Sequence, residues 1–149
     1  MRAAPLLAVD GLRMHFFTKA GVVKAVDGVS FTVGRGEILG LVGESGSGKS
    51  MTGYSIIGLV DPPGRIVGGS IVFDGQDLTR LDAAAWRAVR GNRIAMIFQD
   101  PMMTLNPVLR IDTQIVEAVR AHAGVSRETA LARAREALVR VGIASPDER

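Results

Sequence analysis

A glycine-rich stretch that ends in Lys-Ser carries the clearest chemical signal in the sequence. Residues 43–50 read Gly-Glu-Ser-Gly-Ser-Gly-Lys-Ser and match the pattern G-x-x-x-x-G-K-[ST] in full. The glycines let the backbone adopt conformations that a side chain would forbid, so that successive amide groups can face phosphate oxygens. The helix that follows adds the positive end of its dipole to the same place. We therefore predict a phosphate-binding loop in this stretch.

Two side chains complete the predicted chemistry of this loop. Lys49 can reach the β- and γ-phosphates of a nucleotide as a mobile positive charge, which makes it a candidate catalytic residue as well. The hydroxyl of Ser50 is placed to bind the Mg²⁺ that bridges those phosphates. The plainer alternative is a glycine-rich turn with a chance Lys-Ser. The predicted nucleotide contacts are Gly43, Glu44, Ser45, Gly46, Ser47, Gly48, Lys49, Ser50 and Met51.

A second polar position follows a second apolar run. Ile94–Phe98 leads directly into Gln99-Asp100-Pro101, with Gln99 fifty residues beyond Lys49. A neutral amide at the carboxyl end of a strand beside the phosphate loop can bind Mg²⁺ or hold an attacking water, and it moves without the electrostatic penalty of moving a charge. Gln99 is therefore a candidate catalytic and metal-binding residue. The plainer alternative is the polar start of a loop.

The predicted strands are those that would position these residues. Leu6–Val33 is rich in β-branched residues and predicts antiparallel strands. Ile38–Val42 is a continuous apolar run, the pattern of a parallel strand buried on both faces, and Ile94–Phe98 predicts a second strand of that kind. Ser70–Phe73 predicts a further strand with a turn at Asp74-Gly75.

Helices are predicted after the phosphate loop and throughout the last third of the chain. The first should run from about Lys49 to Val60 and stop at Asp61-Pro62-Pro63-Gly64, because proline cannot supply the amide that a helix needs. A short helix is predicted around 83–89 and a loop over 99–107. Two further helices follow, the second between Ser126 and Gly142. Their apolar stripes comprise Ile115, Val116 and Val119, and then Ala130, Leu131, Ala134, Ala137, Leu138 and Val141.

Composition excludes several classes of protein. The chain has 149 residues, 47% of them hydrophobic, so disorder is not expected. The net charge of +3 is too small to argue for a nucleic-acid partner. The absence of cysteine excludes disulfides, a thiol nucleophile and Cys-based metal sites. Because no apolar run reaches about 20 residues, any membrane association is expected to come through a partner.

Three motifs together resemble a known family. Gly-Glu-Ser-Gly-Ser-Gly-Lys-Ser at 43–50, Ile-Phe-Gln-Asp-Pro-Met at 97–102 and Leu-Asn-Pro at 105–107 are similar to those of ATP-binding subunits of ABC transporters, in the oligopeptide/dipeptide/nickel importer subfamily. By this resemblance Gln99 is the Q-loop glutamine. The resemblance also implies an aromatic residue that stacks on adenine, at the position of Phe16. A core phenylalanine is the plainer alternative, and Phe17, on the opposite face of the strand, is the second candidate.

The resemblance carries further expectations about ligands, partners and place. ATP and Mg²⁺ are the expected cofactors. Transmembrane permease subunits and a second ATP-binding subunit, identical or different, are the expected partners, with a solute-binding protein as an indirect one. The loop through Met102, Met103 and Leu105 would face the coupling helix of the membrane partner. The expected location is peripheral, on the cytoplasmic face of the inner membrane.

The fold class that the resemblance implies is α/β. It is a P-loop NTPase (RecA-like) core with an antiparallel β subdomain and the start of a helical subdomain, in which the sheet is incomplete. All 149 residues are predicted to form the N-terminal part of one ATPase domain. The predicted parts are antiparallel β at about 1–35 and 65–80, the P-loop core at 36–60 and 93–100, and the start of the helical subdomain at 108–149.

Some parts of the family pattern are missing from the sequence. It has no Leu-Ser-Gly-Gly-Gln-like signature, no acidic pair after an apolar strand and no switch histidine. The chain is therefore expected to bind nucleotide better than it hydrolyses it, and to be marginally stable alone because its apolar strands need neighbours. Another P-loop enzyme, such as a GTPase or small-molecule kinase, and a nucleotide-binding module without turnover are the alternatives. No Asn-Lys-x-Asp for guanine occurs.

Overall fold

The structure is a computed structural model that describes residues 4–100 and 104–145. The chain divides into two units, Met1–Trp86 and Arg87–Arg149. The first unit contains a four-stranded antiparallel sheet. The strands are β1 (Leu7–Thr18), β2 (Gly21–Val33), β3 (Gly64–Phe73) and β4 (Gln76–Asp77). They are arranged in the order β2-β1-β3-β4. The prediction of antiparallel strands over residues 6–33 is confirmed. The buried hydrophobic side chains of this sheet include Val9, Leu12, Met14, Val26, Ile71 and Phe73.

Strand β3 is longer than its sequence pattern predicts. It begins at Gly64 rather than Ser70, because its first half pairs with β1 across a stretch where the register shifts. Glycine is uncommon inside strands, so the two glycines at 68 and 69 gave no signal for a strand in this half. The turn after β3 is confirmed, since Asp74 and Gly75 both have positive φ, at 48° and 81°, as a two-residue hairpin turn between β3 and β4 requires.

Helix α1 follows the phosphate loop and is shorter than predicted. It spans Lys49–Ile56 instead of reaching Val60. Gly58 adopts a φ of 64°, and the amide of Leu59 donates to the carbonyl of Tyr54 at 2.8 Å. This is the usual glycine-based end of a helix. The helix therefore stops at a left-handed glycine before it meets the prolines that were expected to end it.

The two apolar runs predicted as buried parallel strands are not strands in the structure. Ile38–Val42 has no strand partner in the described part of the chain, and its first and last side chains are 97% and 91% exposed. Ile94–Phe98 makes one isolated bridge, between Arg90 and Ile94, and Ile97 is 97% exposed. A strand forms only where a neighbour pairs with its amides and carbonyls, and residues 4–100 and 104–145 place none beside these runs.

Helices α2 (Ala83–Val89), α3 (Ile111–His122) and α4 (Arg127–Arg140) match the predicted positions. The loop predicted at 99–107 is confirmed where the structure describes it, with 101–103 outside the described residues. The hydroxyl of Ser126 caps α4 by accepting from the amide of Thr129 at 3.1 Å, as predicted. None of the described helices is long and apolar enough to span a membrane.

Helices α3 and α4 pack through small side chains. Val116, Ala130 and Ala134 form their buried cluster, against which Ile115, Val119 and Val125 pack. The apolar stripe of α4 is narrower than predicted, because only the residues spaced by four are buried: Ala130, Ala134 and Leu138. The remaining predicted members of that stripe are exposed, namely Leu131, Ala137 and Val141.

Replacing Gly69 with alanine should destabilise the sheet far more than the same change at its neighbour Gly68. A Cβ at Gly69 would lie 2.4 Å from the carbonyl oxygen of Gly11, and its φ is 82°, whereas a Cβ at Gly68 meets nothing closer than 3.7 Å. We expect Gly69→Ala to lower the free energy of unfolding by about 2–4 kcal/mol and Gly68→Ala by less than about 1 kcal/mol. Urea denaturation followed by circular dichroism measures the free energy of unfolding of each variant. Equal midpoints for Gly69→Ala and Gly68→Ala would contradict the close approach of Gly69 to the Gly11 carbonyl.

Candidate functional site

The predicted phosphate loop forms a tight turn whose backbone conformation depends on glycine. Gly46 and Gly48 have φ values of 81° and 89°, in the left-handed region that favours glycine, and Gly48 is the N-cap of α1. Within the loop the amide of Ser47 donates to the carbonyl of Glu44 at 3.2 Å. Left-handed residues that alternate with other conformations before the start of a helix form a concave backbone surface that suits an anion.

The ammonium group of Lys49 lies against this loop. Its Nζ donates to the carbonyl oxygen of Gly43 at 2.7 Å and to that of Glu44 at 2.6 Å, with the hydroxyl of Ser47 at 3.3 Å. Gly43 leaves room for this arrangement, because a Cβ there would lie 2.7 Å from the Ser47 hydroxyl. The positive charge is thus held against two carbonyl oxygens of the loop, and its contact with a nucleotide stays a prediction.

The loop is attached to the sheet through Gly48. A Cβ at this position would lie 2.3 Å from the carbonyl oxygen of Ala25 on β2 and 3.7 Å from Val26 Cγ2. Thr52, which is 3% exposed, donates its amide and its hydroxyl to the Gly48 carbonyl at 2.8 and 3.0 Å. Sequence reasoning missed Ala25 and Thr52 as supports of the loop. The only available signal was a threonine four residues after the last glycine.

The residues expected to meet the nucleotide are accessible. Ser50 lies in the first turn of α1 with an exposed side chain, so its hydroxyl fits a Mg²⁺ that also takes phosphate and water oxygens. No cluster of three or more His, Asp or Glu that could hold a metal occurs within the described residues. Met51 is half-buried. The exposed residues of the loop are Gly43, Glu44, Ser45, Gly46 and Ser47.

Phe16 and Phe17 lie on opposite faces of β1. Phe17 carries the guanidinium of Arg65 over its ring, with Cζ 4.0 Å from the ring centroid, and its ring is 6.5 Å from that of His15. Phe16 is half-buried and pairs with Val23 on β2 and Gly64 on β3. One face of β1 is thus occupied by a cation, and the other carries the ring of Phe16.

The face of β1 that carries Phe16 is also the face nearest the phosphate loop. Met14, two residues before Phe16 and fully buried, pairs with Val26, which contacts the Gly48 position. Ala25, which Gly48 approaches, is two residues from Val23 on β2 and is skipped at a register shift in the pairing with β1. The structure therefore brings Phe16 and the loop onto one side of the same sheet.

Gln99 lies in the second unit, whereas the phosphate loop lies in the first. Its side chain is exposed and follows the extended run Ile94–Phe98. The predicted meeting of Gln99 with Mg²⁺ and the nucleotide stays a prediction. Met102 and Met103, which were expected to face a membrane partner, lie outside the described residues.

The sequence of the chain is similar to one protein family and to curated members of the same kind. The family described as ABC transporter matches residues 26–149. The dipeptide transport ATP-binding protein DppD of Escherichia coli (strain K12) is 45% identical over 144 residues, covering 97% of this chain and 44% of that protein. The probable peptide ABC transporter ATP-binding protein y4tR of Sinorhizobium fredii is 49% identical, covering 99% and 44%. The chain thus spans less than half the length of these relatives.

Solved structures agree on the fold. A dimeric ATP-binding cassette in a post-hydrolysis state with ADP and Pi has a TM-score of 0.74 at 23% identity, over 89% of this chain and 56% of that one. A dimeric bacterial ABC transporter cassette has a TM-score of 0.72 at 25% identity over the same shares. The α/β fold class with a P-loop core, antiparallel strands and an open sheet is therefore confirmed.

Replacing Gly48 with alanine should destabilise the chain more than replacing Gly46, although both have positive φ. An added Cβ meets nothing within 4 Å at Gly46, whereas at Gly48 it collides with the Ala25 carbonyl oxygen. We expect Gly46→Ala to cost about 1–3 kcal/mol and Gly48→Ala at least about 1 kcal/mol more. Urea unfolding in the absence of nucleotide compares the two. A Gly48→Ala variant as stable as Gly46→Ala would show that the loop is not anchored on β2.

Proposed function

The chain belongs to the ABC transporter family, and from that premise we propose that it is part of an ATP-binding subunit that couples ATP binding and hydrolysis to the uptake of peptides or similar small solutes. One observation carries the proposal. The ammonium of Lys49 lies 2.7 and 2.6 Å from two carbonyls of a loop whose left-handed glycines stand at the start of a helix. The names of the relatives support peptides as the class of solute.

The phosphates of ATP would lie on the loop. The backbone amides of residues 43–50 and the start of α1 would face the phosphate oxygens, and Lys49 would place its charge on the β- and γ-phosphates. When bound, Mg²⁺ would neutralise the charge that develops on those phosphates, with Ser50 as its ligand on this chain. Gln99 would provide a second ligand and orient the attacking water. The accessible hydroxyl of Ser50 supports this assignment.

The adenine would stack on Phe16. The ring lies on the same side of the sheet as the loop, whereas Phe17 already has Arg65 over its ring. Base stacking on an aromatic side chain contributes about 1–3 kcal/mol and tolerates different bases. Phe16 would therefore add affinity for a purine nucleotide and only weak preference for ATP over GTP.

The complete subunit would act with partners at the membrane. We propose a peripheral location on the cytoplasmic face of the inner membrane, with permease subunits and a second ATP-binding subunit as direct partners and a solute-binding protein as an indirect one. The exposed apolar residues Leu105, Val108 and Leu109 beside α3 suit a protein partner. The dimeric state of two similar cassettes supports pairing of two ATP-binding subunits.

Removing the charge of Lys49 should abolish tight binding of Mg²⁺-ATP. Charge-assisted hydrogen bonds contribute about 1.5–3 kcal/mol each, so Lys49→Ala should weaken binding at least about tenfold. Lys24 is a matched control, because it is an exposed lysine on β2 whose ammonium pairs with the Asp27 carboxylate and makes no contact with the loop carbonyls that accept from Lys49. Calorimetric titration of wild type, Lys49→Ala and Lys24→Ala measures the difference. Equal affinity of wild type and Lys49→Ala would defeat the site assignment.

The 149-residue chain should bind ATP without turning it over. Residues 43–50 carry the proposed phosphate loop, whereas these 149 residues contain no Leu-Ser-Gly-Gly-Gln-like signature and no acidic pair after an apolar strand, so no general base is assigned. A Mg²⁺-dependent ATP titration with GTP as competitor, and phosphate release followed in the same tube, measures both properties. Steady turnover would instead support a self-sufficient P-loop enzyme, and a strong preference for GTP would support a GTPase.

A further inference from the structure

The first residue of β3 lies against the ring of Phe16. A Cβ built on Gly64 would lie 2.8 Å from Phe16 Cε1, 2.9 Å from Val60 Cγ1 and 3.0 Å from the carbonyl oxygen of Asp61. These distances are shorter than carbon atoms tolerate, so the ring occupies space that any larger residue at position 64 would need. The ring and Gly64 are also a register pair between β1 and β3.

Backbone conformation does not explain a glycine at this position. Gly64 is not among the described glycines with positive φ, so an alanine there would pay no left-handed penalty. Its amide donates to the Asp61 carbonyl at 2.9 Å, a bond that any residue other than proline can make. The remaining reason for a glycine at position 64 is steric. A side chain there would collide with Phe16, Val60 and the Asp61 carbonyl.

The next residue of β3 acts on the other face. Arg65 pairs with His15 and lays its guanidinium over Phe17, at 4.0 Å from the ring centroid. Two consecutive residues of β3 thus contact two consecutive aromatic rings of β1 on opposite faces of the sheet. The guanidinium of Arg65 covers one face of the Phe17 ring. Because Gly64 has no side chain, the ring of Phe16 can lie directly against the backbone of β3.

We infer that Gly64 is a positioning residue for the base: its missing side chain sets where the ring of Phe16 lies, and thereby how well that ring stacks on adenine. This inference rests on the proposed function, since it gives Gly64 a role only if Phe16 contacts the base. A Cβ at position 64 displaces the ring from the strand and misaligns it with a base whose phosphates are fixed by the loop. The phosphate end itself is untouched by this change.

The experiment compares a whole nucleotide with its phosphates alone. Mg²⁺-ATP and inorganic tripolyphosphate are titrated by calorimetry, at equal ionic strength, into the 149-residue chain and its Gly64→Ala variant. We expect ATP to bind about tenfold more weakly to Gly64→Ala, with tripolyphosphate unchanged within about twofold. Gly68→Ala, in the same strand with no contact closer than 3.7 Å, is the matched control and should change neither affinity.

A double-mutant cycle shows whether the effect passes through the ring. In a Phe16→Ala background no ring is left for a Cβ at position 64 to displace, although Val60 and the Asp61 carbonyl remain beside it. Gly64→Ala should then cause no further loss of ATP affinity. An equal loss of ATP affinity with and without the ring would overturn the inference. So would an unchanged ATP affinity in Gly64→Ala, or a parallel loss of tripolyphosphate binding, which would indicate general damage to the fold.

The cycle also separates this inference from the proposed function. If Phe16→Ala itself leaves ATP affinity unchanged, the base does not stack on Phe16 and the proposed site fails at its base end. If Phe16→Ala weakens ATP and Gly64→Ala does not, the site stands and the role of Gly64 is wrong. Should Gly64→Ala fail to fold, the Val60→Ala, Gly64→Ala double variant removes one crowding side chain and is measured against Val60→Ala alone.

Discussion

The approach of Gly48 to the carbonyl of Ala25 is the contact on which the proposed phosphate site depends. A Cβ at Gly48 would lie 2.3 Å from that oxygen, so only a glycine lets the loop reach the sheet. The left-handed conformation of Gly48 then starts α1, and Thr52 donates twice to the Gly48 carbonyl. The loop is thereby attached to a strand on one side and to a helix on the other. Its amides are oriented before any anion arrives, which lowers the conformational cost of binding.

The same sheet connects the two ends of the proposed nucleotide site. Strand β2 meets the loop at Ala25 and pairs with β1, whose ring of Phe16 lies on the same side. In the proposed site, the separation of base and phosphates would therefore be set by paired strands rather than by a loop. In the proposed site, backbone amides and one positive charge would bind the phosphates, and these groups do not distinguish one nucleotide from another. Affinity for the base would then depend on the ring of Phe16, for which Gly64 of β3 leaves room, whereas Arg65 contacts Phe17 on the opposite face of the sheet.

Sequence alone predicted the glycine turn that leads into α1, because the glycine spacing, the lysine and the hydroxyl all lie within eight consecutive residues. It also predicted α2, α3 and α4, since their stripes and caps are local signals. The end of α1 was a local signal that was overlooked, because Gly58 adopts a left-handed conformation two residues beyond Ile56. Elsewhere prediction failed where distant residues decide, since the start of β3 depends on pairing with β1 across a register shift. The supports Ala25 and Gly64 were invisible, because their roles arise from what approaches them in space.

The apolar run Ile38–Val42 shows how the site depends on pairing that the described residues do not provide. Its pattern is that of a strand covered on both faces, yet Ile38 and Val42 are almost fully exposed. This run leads directly into Gly43, whose carbonyl accepts from Lys49 Nζ. The loop is thus fixed on its α1 side, while its entry is a segment without a strand partner in the described part. A strand paired with this segment would cover the apolar run and would also hold the loop at Gly43, whose carbonyl accepts from Lys49.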